Sequence, residues 1–336
     1  MTKKDNNKHP LNVLVTGATG FTGGHLARRL LNEGCSVRVL VRPGEDVKAL
    51  ASAGMEIVWG DLTEKASLKG VADGMHIVYH IAAAFREEGV PKQFFWDVNV
   101  TGTENLMNEA LNAGVKRFVH CSTVGVQGEI KNPPAKEEDP YNPGDHYQAS
   151  KRDGELLVLK YIKEKKLPGV IFRPVGIHGP GDTRFLKFFK YVQNGTFRMF
   201  GSGDVKYHLT YIDDLVSGIL LCGTIQGIEG EIFTLGGEGN TTLNDFVETI
   251  AKILDKPLSK IHFPVWPLWA AGALCEALCR PLRIHPPIYR RRVEIFMKDR
   301  AFDISKAKKV LGYQPRVSLE EGLRRTAAWY LEQGML

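Results

Sequence analysis

Three things are missing from this chain of 336 residues: a dense basic stripe, a spaced set of metal ligands, and an apolar run long enough to cross a bilayer. Lys and Arg exceed Asp and Glu by only 44 to 38, and Lys3, Lys4 and Lys8 against Asp5 already supply two of those charges. With no basic stripe and no nucleic-acid motif, no nucleic-acid partner is expected. Cysteine is sparse: Cys35, Cys121, Cys222, Cys275 and Cys279. Their odd number and irregular spacing exclude a disulfide framework. Cys275 and Cys279 share one helix face without a matching second pair, so core packing rather than zinc is expected there. The histidines are dispersed without ligand spacing, and no metal is expected. The longest apolar stretch, Phe263 to Cys275, is broken by Pro264 and Pro267 and closed by Glu276 and Arg280. It is too short to span a membrane. Met1 to Pro10 is polar, which predicts a disordered tail over 1–10. A short strand rather than an apolar h-region follows it, so no signal peptide is expected and the expected location is cytoplasmic.

What is present is concentrated near the start. The apolar run Leu11-Asn12-Val13-Leu14-Val15 reads as a buried strand, and Gly24 to Leu31 reads as a helix. Between them lies Thr16-Gly17-Ala18-Thr19-Gly20-Phe21-Thr22-Gly23. A strand turning through three glycines into a helix suits a nucleotide pyrophosphate. Gly17 permits the sharp turn, Gly20 leaves no side chain between backbone and phosphate, and Gly23 lets the helix pack close to the sheet. The free N–H groups and positive end of the helix then face the anion. The spacing is G-x-x-G-x-x-G, and taken alone it also describes an ordinary strand-to-helix turn.

The first half alternates strand and helix, which predicts a parallel sheet with helices on both faces. Strands are expected at Val37–Val41, Glu56–Trp59, His76–Ile81, Arg117–Cys121 and Gly169–Arg173, with long helices over Pro91–Ala113 and Tyr147–Lys166. Beyond Pro174 loops lengthen and helices cluster.

A second motif, Tyr147-Gln148-Ala149-Ser150-Lys151, places Tyr147 and Lys151 on one helix face, one turn apart. Together the two motifs resemble the short-chain dehydrogenase/reductase superfamily, in its extended branch of nucleotide-sugar epimerases and dehydratases, 3β-hydroxysteroid dehydrogenases and dihydroflavonol reductases. Asp303 to Pro315 and Ser318 to Leu323 resemble that branch's C-terminal signature, so the resemblance runs from Val13 to Tyr330. It implies an α/β fold, a Rossmann-type doubly wound parallel sheet with a smaller, mostly helical C-terminal substrate lobe. The expected division is a dinucleotide-binding domain over 11–174 and a substrate lobe over 175–336, interleaved with returns to the sheet. A homodimer is expected.

The resemblance also implies roles. Gly17, Thr19, Gly20, Phe21, Thr22 and Gly23 would hold the pyrophosphate. Asp61 and Leu62 after the third strand would meet adenine, and Ala82, Ala83 and Ala84 after the fourth would let a ribose lie close. Asn99 would brace the site, Pro174 and Gly176 would border the nicotinamide, and His178 in the same loop reads as a packing residue. An acidic side chain at the end of the second strand would select NAD, but Val41 and Arg42 stand there. Arg42 can pair with a 2′-phosphate, with Arg38 within the strand as a second candidate, so NADP is favoured with NAD as the alternative. A free tyrosine is a poor base at neutral pH, with a pKa of about 10. The ammonium of Lys151 would lower that value and hold the ribose hydroxyls. Tyr147 then acts as general acid or base, Thr123 steadies the reacting oxygen, and Ser122 points away.

The substrate is read from absences. Sugar-nucleotide members of the branch carry an Asn where Gly176 stands, an Arg where Tyr207 stands beside Lys206, and an Arg-Pro-Gly-Asp where this chain has Lys298-Asp299-Arg300-Ala301-Phe302. A diphosphate needs cationic partners, so these absences favour a bulky, mainly apolar alcohol or ketone, sterol-like or flavonoid-like. Trp266, Leu268, Trp269, Leu274 and Leu278 read either as a wall for it or as lobe core. Arg290-Arg291-Arg292 reads as a solvated face, a phosphate site, or a peripheral contact for anionic lipid. A sugar-nucleotide 4-epimerase is the second reading and a non-catalytic redox sensor the third.

Overall fold

The computed structural model describes residues 10–85, 90–279 and 290–336. The tail expected over 1–10 lies outside these except for Pro10, as do Arg280, Ile288, Tyr289 and the side chains of Arg291 and Arg292.

The chain begins β1 (Asn12–Thr16), α1 (Phe21–Asn32), β2 (Ser36–Val41), α2 (Lys48–Ser52), β3 (Glu56–Trp59) and β4 (Ile77–His80). Next come α3 (Lys92–Trp96), α4 (Gly102–Asn112), β5 (Arg117–Cys121), α5 (His146–Lys165), β6 (Gly169–Pro174) and β7 (Gly176–His178). Then follow α6 (Leu186–Gln193), β8 (Met199–Phe200), β9 (Lys206–Tyr211), α7 (Ile212–Thr224), β10 (Ile232–Leu235), β11 (Asn240–Thr242) and α8 (Leu243–Leu254). The last are β12 (His262–Phe263), α9 (Val265–Cys279), α10 (Arg290–Val293) and α11 (Leu319–Glu332).

Seven strands form one sheet in the order β10-β6-β5-β4-β1-β2-β3, and every pairing is parallel. Alternate residues of β1 serve opposite faces. Val13 and Val15 join the cluster containing Leu26 and Leu30 of α1 and Leu215 of α7. Leu14 joins the cluster containing Leu106 of α4 and Val158 of α5. A strand covered on both faces is apolar at consecutive positions, which is why Val13-Leu14-Val15 shows no alternation. Each such burial contributes roughly 1.5–3 kcal/mol. The arrangement is a Rossmann-type doubly wound fold. Its strand order reverses between β1 and β4, and the crevice at their carboxyl ends is the ligand position of such sheets.

Several expected elements differ at their ends, and one differs in kind. The fourth strand omits His76 and Ile81. The helix expected over Pro91–Ala113 is α3 and α4 joined by a π-helical turn, Asp97–Thr101, whose wider turn turns Asn99 inward. After β6 the chain builds a three-stranded sheet β11-β9-β7 and a β12-β8 pair, while β10 returns to the main sheet. A third apolar cluster, with Phe189, Phe246, Leu323 and Tyr330, joins α6, α8 and α11.

Candidate active site

The glycine loop sits at the switch point. Gly17 has φ +75°, and a Cβ there would stand 2.8 Å from the backbone nitrogen of Ala82. A Cβ on Gly23 would stand 2.1 Å from the carbonyl oxygen of Gly17. The loop is thus pressed between the end of β4 and the start of α1. Gly20 is the exposed N-cap of α1, with no side chain capping it and no acidic residue in the first turn. That start of the helix suits an anion, so these residues fit a dinucleotide pyrophosphate. Thr19 is exposed, while Phe21 and Thr22 are half-buried in the first turn. Gly24 was missed as a further packing glycine: a Cβ on it would stand 2.9 Å from the carbonyl oxygen of Ala18.

Thr16 was also missed. Its Oγ1 accepts the backbone N–H groups of Ile81 and Ala82 at 3.2 and 3.1 Å and lies 2.9 Å from Nδ1 of His80. Nε2 of His80 is 2.9 Å from Oγ1 of Thr103. This chain ties β1, β4 and α4 beneath the alanines. Burial, followed by the charge of Lys151, lowers His80 to about 3, so the ring is neutral.

At the adenine end, Asp61 accepts the N–H and hydroxyl of Thr63 at 2.8 and 2.7 Å. Leu62 packs under Gly102, where a Cβ would stand 2.8 Å from the Leu62 Cβ. Arg42 is 2.7 Å from Glu45 in an exposed ion pair, and both border a surface hollow with Pro43, Gly44, Asp46 and Asp61. Arg38 does not reach that hollow. Its guanidinium donates to the carbonyls of Val71 and Asp73, both at 3.0 Å, and pairs with Glu56.

Tyr147 and Lys151 project from α5, and Thr123 from the loop after β5. The Thr123 Oγ1 accepts the N–H of Gly125 at 3.1 Å, and its hydroxyl hydrogen-bonds with Tyr147. Ser122 Oγ is buried without a hydrogen-bond partner among the described residues. Lys151 is buried and donates to the carbonyl oxygen of Cys121 at 2.5 Å. One expected effect is not there. Burial pushes the Tyr147 phenol up, and Thr123 and Arg184, not Lys151, oppose it. Lys151, whose ammonium donates to Cys121, is itself lowered by burial.

Asn99 ties α5 to the segment that follows the central strand β4. Its Nδ2 donates to Ser150 Oγ at 2.9 Å and to the Ala84 carbonyl at 3.2 Å, and its Oδ1 accepts the Ala84 N–H at 2.9 Å. Ala83 lies half-buried beside it. A Cβ on Gly154 would stand 2.5 Å from the carbonyl oxygen of Asn99. Further along the same helix face, Glu155 pairs with Arg173 of β6 at 2.6 Å, both being buried. Tyr141 donates to Glu155 at 2.7 Å, and Arg173 donates to the Glu137 carbonyl at 2.9 Å. Glu155 stands eight residues after Tyr147, so helical spacing held a signal for it.

Phe85 is a further missed residue. Its ring centroid is 4.9 Å from that of Tyr147, edge to face, and it is 39% exposed. Pro174 ends β6. Gly176 packs on β9, where a Cβ would stand 2.7 Å from Leu209 Cδ2. His178 is buried against Tyr211, as a packing residue.

In the second half the Tyr207 hydroxyl donates to the Ile295 carbonyl at 2.5 Å. The Lys298–Phe302 stretch is not without charge near it: the Arg300 guanidinium lies 5.8 Å from the centre of the Tyr207 ring. The lobe-core reading of α9 is overturned, because only Gly272 and Glu276 are buried on that helix. Cys275 and Cys279, 4.0 Å apart, are half-buried on it rather than in a core.

The model of the NAD dependent epimerase/dehydratase family matches residues 13–236, which span the glycine loop, Thr123, Tyr147 and Lys151. The chain belongs to that family. Its members include nicotinamide-dependent dehydrogenases and epimerases, and the chain is an enzyme of this kind. It is 30% identical to sterol demethylase protein B of Methylococcus capsulatus, over 97% of this chain and all of that one. It is 28% identical to a UDP-glucose 4-epimerase of Vibrio cholerae, over 97% of each. Among solved structures it is similar to the UDP-glucuronic acid 4-epimerase of Bacillus cereus in complex with NAD. That likeness has a TM-score of 0.76 and 26% identity, over 97% of this chain and 100% of that one. In this epimerase/dehydratase chain the glycine loop after β1 and helix α5, which carries Tyr147 and Lys151, stand on the two halves of one sheet.

Proposed function

We propose that the chain interconverts a secondary alcohol and a ketone on a bulky, mainly apolar substrate, sterol-like or flavonoid-like. Phe85 carries this reading. An exposed phenyl ring against the ring of Tyr147 offers an apolar surface where the reacting carbon must lie. The neutral Tyr207, its hydroxyl already spent on Ile295, adds no cation for a diphosphate.

The residues divide the work. The Gly17–Gly23 loop binds the pyrophosphate, Asp61 and Leu62 border the adenine, and Ala82 to Ala84 leave room for the ribose. Arg42 exchanges Glu45 for a 2′-phosphate, which favours NADP. When bound, the nicotinamide supplies hydride acceptance and donation. Thr123 donates its hydroxyl to the reacting oxygen, and Tyr147 gives or takes the proton there. A phenol raised by burial is the acid needed for ketone reduction; for alcohol oxidation Lys151 must leave the Cys121 carbonyl and turn toward the phenolate. Asn99 holds Ser150, and with it the helix, at the required distance.

One observation favours a second reading, the sugar-nucleotide 4-epimerase. Arg300 beside Tyr207 puts a cation near the position where that branch uses one. Melting the NADP-loaded protein with and without millimolar UDP separates the two. A ligand at ~100 times its dissociation constant stabilises by about 2.7 kcal/mol. No shift with UDP, alongside a shift with polycyclic ketones, is the expected result. A clear rise with UDP overturns the apolar reading in favour of the epimerase.

A further inference from the structure

Helix α9 is apolar on every face, with Glu276 its only charged side chain. A helix of that kind belongs in a core or in a membrane. It is not in the core. Ile261, Phe263, Trp266, Trp269, Leu274 and Leu278 are 64, 40, 71, 42, 62 and 61% exposed. These are six of the fourteen exposed large hydrophobic side chains among the described residues, gathered within eighteen positions. Nor does it span. Fifteen residues rise about 22 Å against a hydrocarbon core of about 30 Å. No helix among the described residues is long and apolar enough to cross a membrane.

Charge says what covers this face. Residues 256–293 hold seven of the chain's 44 Lys and Arg and one of its 38 Asp and Glu. That is a local surplus of six; the rest of the chain, the +2 of its opening stretch included, sums to zero, 37 against 37. The single acid, Glu276, is buried and neutralised by Arg290, whose guanidinium lies 3.1 Å away and 5.7 Å from the centre of the Trp269 ring. Lys256 and Lys260 are exposed near the start of the same face. An apolar face with two tryptophans, set in the one strongly basic part of an otherwise neutral chain, complements an anionic lipid headgroup layer over acyl chains.

We propose that α9 seats the enzyme peripherally on an anionic phospholipid surface, with Trp266 and Trp269 at headgroup depth. This does not rest on the identity of the substrate. The test is co-sedimentation of the full chain with vesicles of phosphatidylcholine alone and with ~30 mol% phosphatidylglycerol. Partition onto the anionic vesicles is expected to be at least ~10-fold stronger, and to weaken in 0.5 M salt, where screening shortens the reach of the lysines. The double variant Trp266→Ser/Trp269→Ser is expected to lose at least ~10-fold of that partition while its melting temperature, and the rise NADP causes in it, stay as in the parent. Should that variant fold poorly, Leu274→Ser/Leu278→Ser serves the same test from the far end of the helix. Equal recovery in the supernatant with both vesicles overturns the proposal. So does a folded variant that still binds, or one whose only change is from dimer to monomer, which makes α9 a subunit contact instead.

Discussion

Helices α5 and α9 reverse the usual relation between hydropathy and burial. α5 is rich in charge, yet Ser150, Lys151, Gly154, Glu155, Val158 and Tyr161 are buried along it. α9 is almost wholly apolar, yet buries only Gly272 and Glu276. The difference lies in partners. Each of these polar groups that α5 buries has a hydrogen-bond partner or counter-charge on another element: the Cys121 carbonyl accepts from Lys151, the Asn99 amide donates to Ser150, and Arg173 pairs with Glu155. A buried polar group so matched costs little and fixes position, whereas one left alone costs the full desolvation. α9 faces no comparable surface within the described residues. The proposed chemistry therefore falls to the helix whose place is specified, and the proposed contact with a surrounding phase to the one whose place is open.

The largest effect should come from removing the proposed proton carrier on α5. Tyr147→Phe keeps the ring and its edge contact with Phe85 but deletes the proton carrier. Turnover should fall by about 10²–10⁴-fold, the usual worth of a general acid or base. Cofactor affinity, read from the change in melting temperature, should be little altered. Near-parental turnover would remove Tyr147 from the mechanism.

Next in size is the tether of α5. Glu155→Gln leaves Arg173 buried beside a neutral partner. Breaking one side of a buried pair costs about 3–5 kcal/mol. Urea unfolding should show a much earlier midpoint with an unchanged slope, and an unmoved midpoint would mean that Asn99 and Gly154 hold the helix unaided.

Much of this half was legible in the sequence. Glycines spaced around a strand end, and a Tyr and Lys one turn apart, are local patterns, and local patterns survive translation into structure. The parallel sheet was legible because doubly covered strands must be apolar at consecutive positions. What stayed hidden depends on partners remote in the chain. Thr16 meets His80 across 64 residues, and Glu137 accepts the Thr234 N–H across 97. The π-turn that aims Asn99 has no residue signature. Burial of the Tyr147 phenol worked against its expected lowering, since a motif shows that two groups are neighbours but not how deeply the fold buries them. α9 defeated expectation for another reason: a helix apolar on all faces has no periodicity to say which face is covered.

A smaller and graded effect should appear in acid. Burial, the leading cause in each case, lowers His80 to about 3 and His178 to about 4. His120 is also lowered, again by burial first. For each the folded value lies below the ordinary value of about 6.5, so between the two the unfolded chain binds more protons. Stability is then complete above pH ~6.5 and falls as pH drops toward 4, by about 1.4 kcal/mol per pH unit for each ring. His80→Asn should flatten the slope of unfolding free energy between pH 6 and 4.5 by about one such increment. An identical slope would mean that His80 is protonated in the fold.

The smallest effect is expected on α9, and its smallness is the sharpest form of the contrast. In an ordinary core helix, replacing an apolar side chain with serine creates a cavity and costs about 2–5 kcal/mol. Trp266, at 71% exposure, has little burial to lose. Substitutions away from packed features stay within about ±0.5 kcal/mol. Trp266→Ser should therefore leave the urea midpoint of the isolated protein within that range, while Glu155→Gln moves it far. A loss of several kcal/mol at Trp266 would mean that α9 is packed against something in the protein after all. The absence of such a loss, in a residue so large and so apolar, would leave its reason for being there to whatever the protein touches.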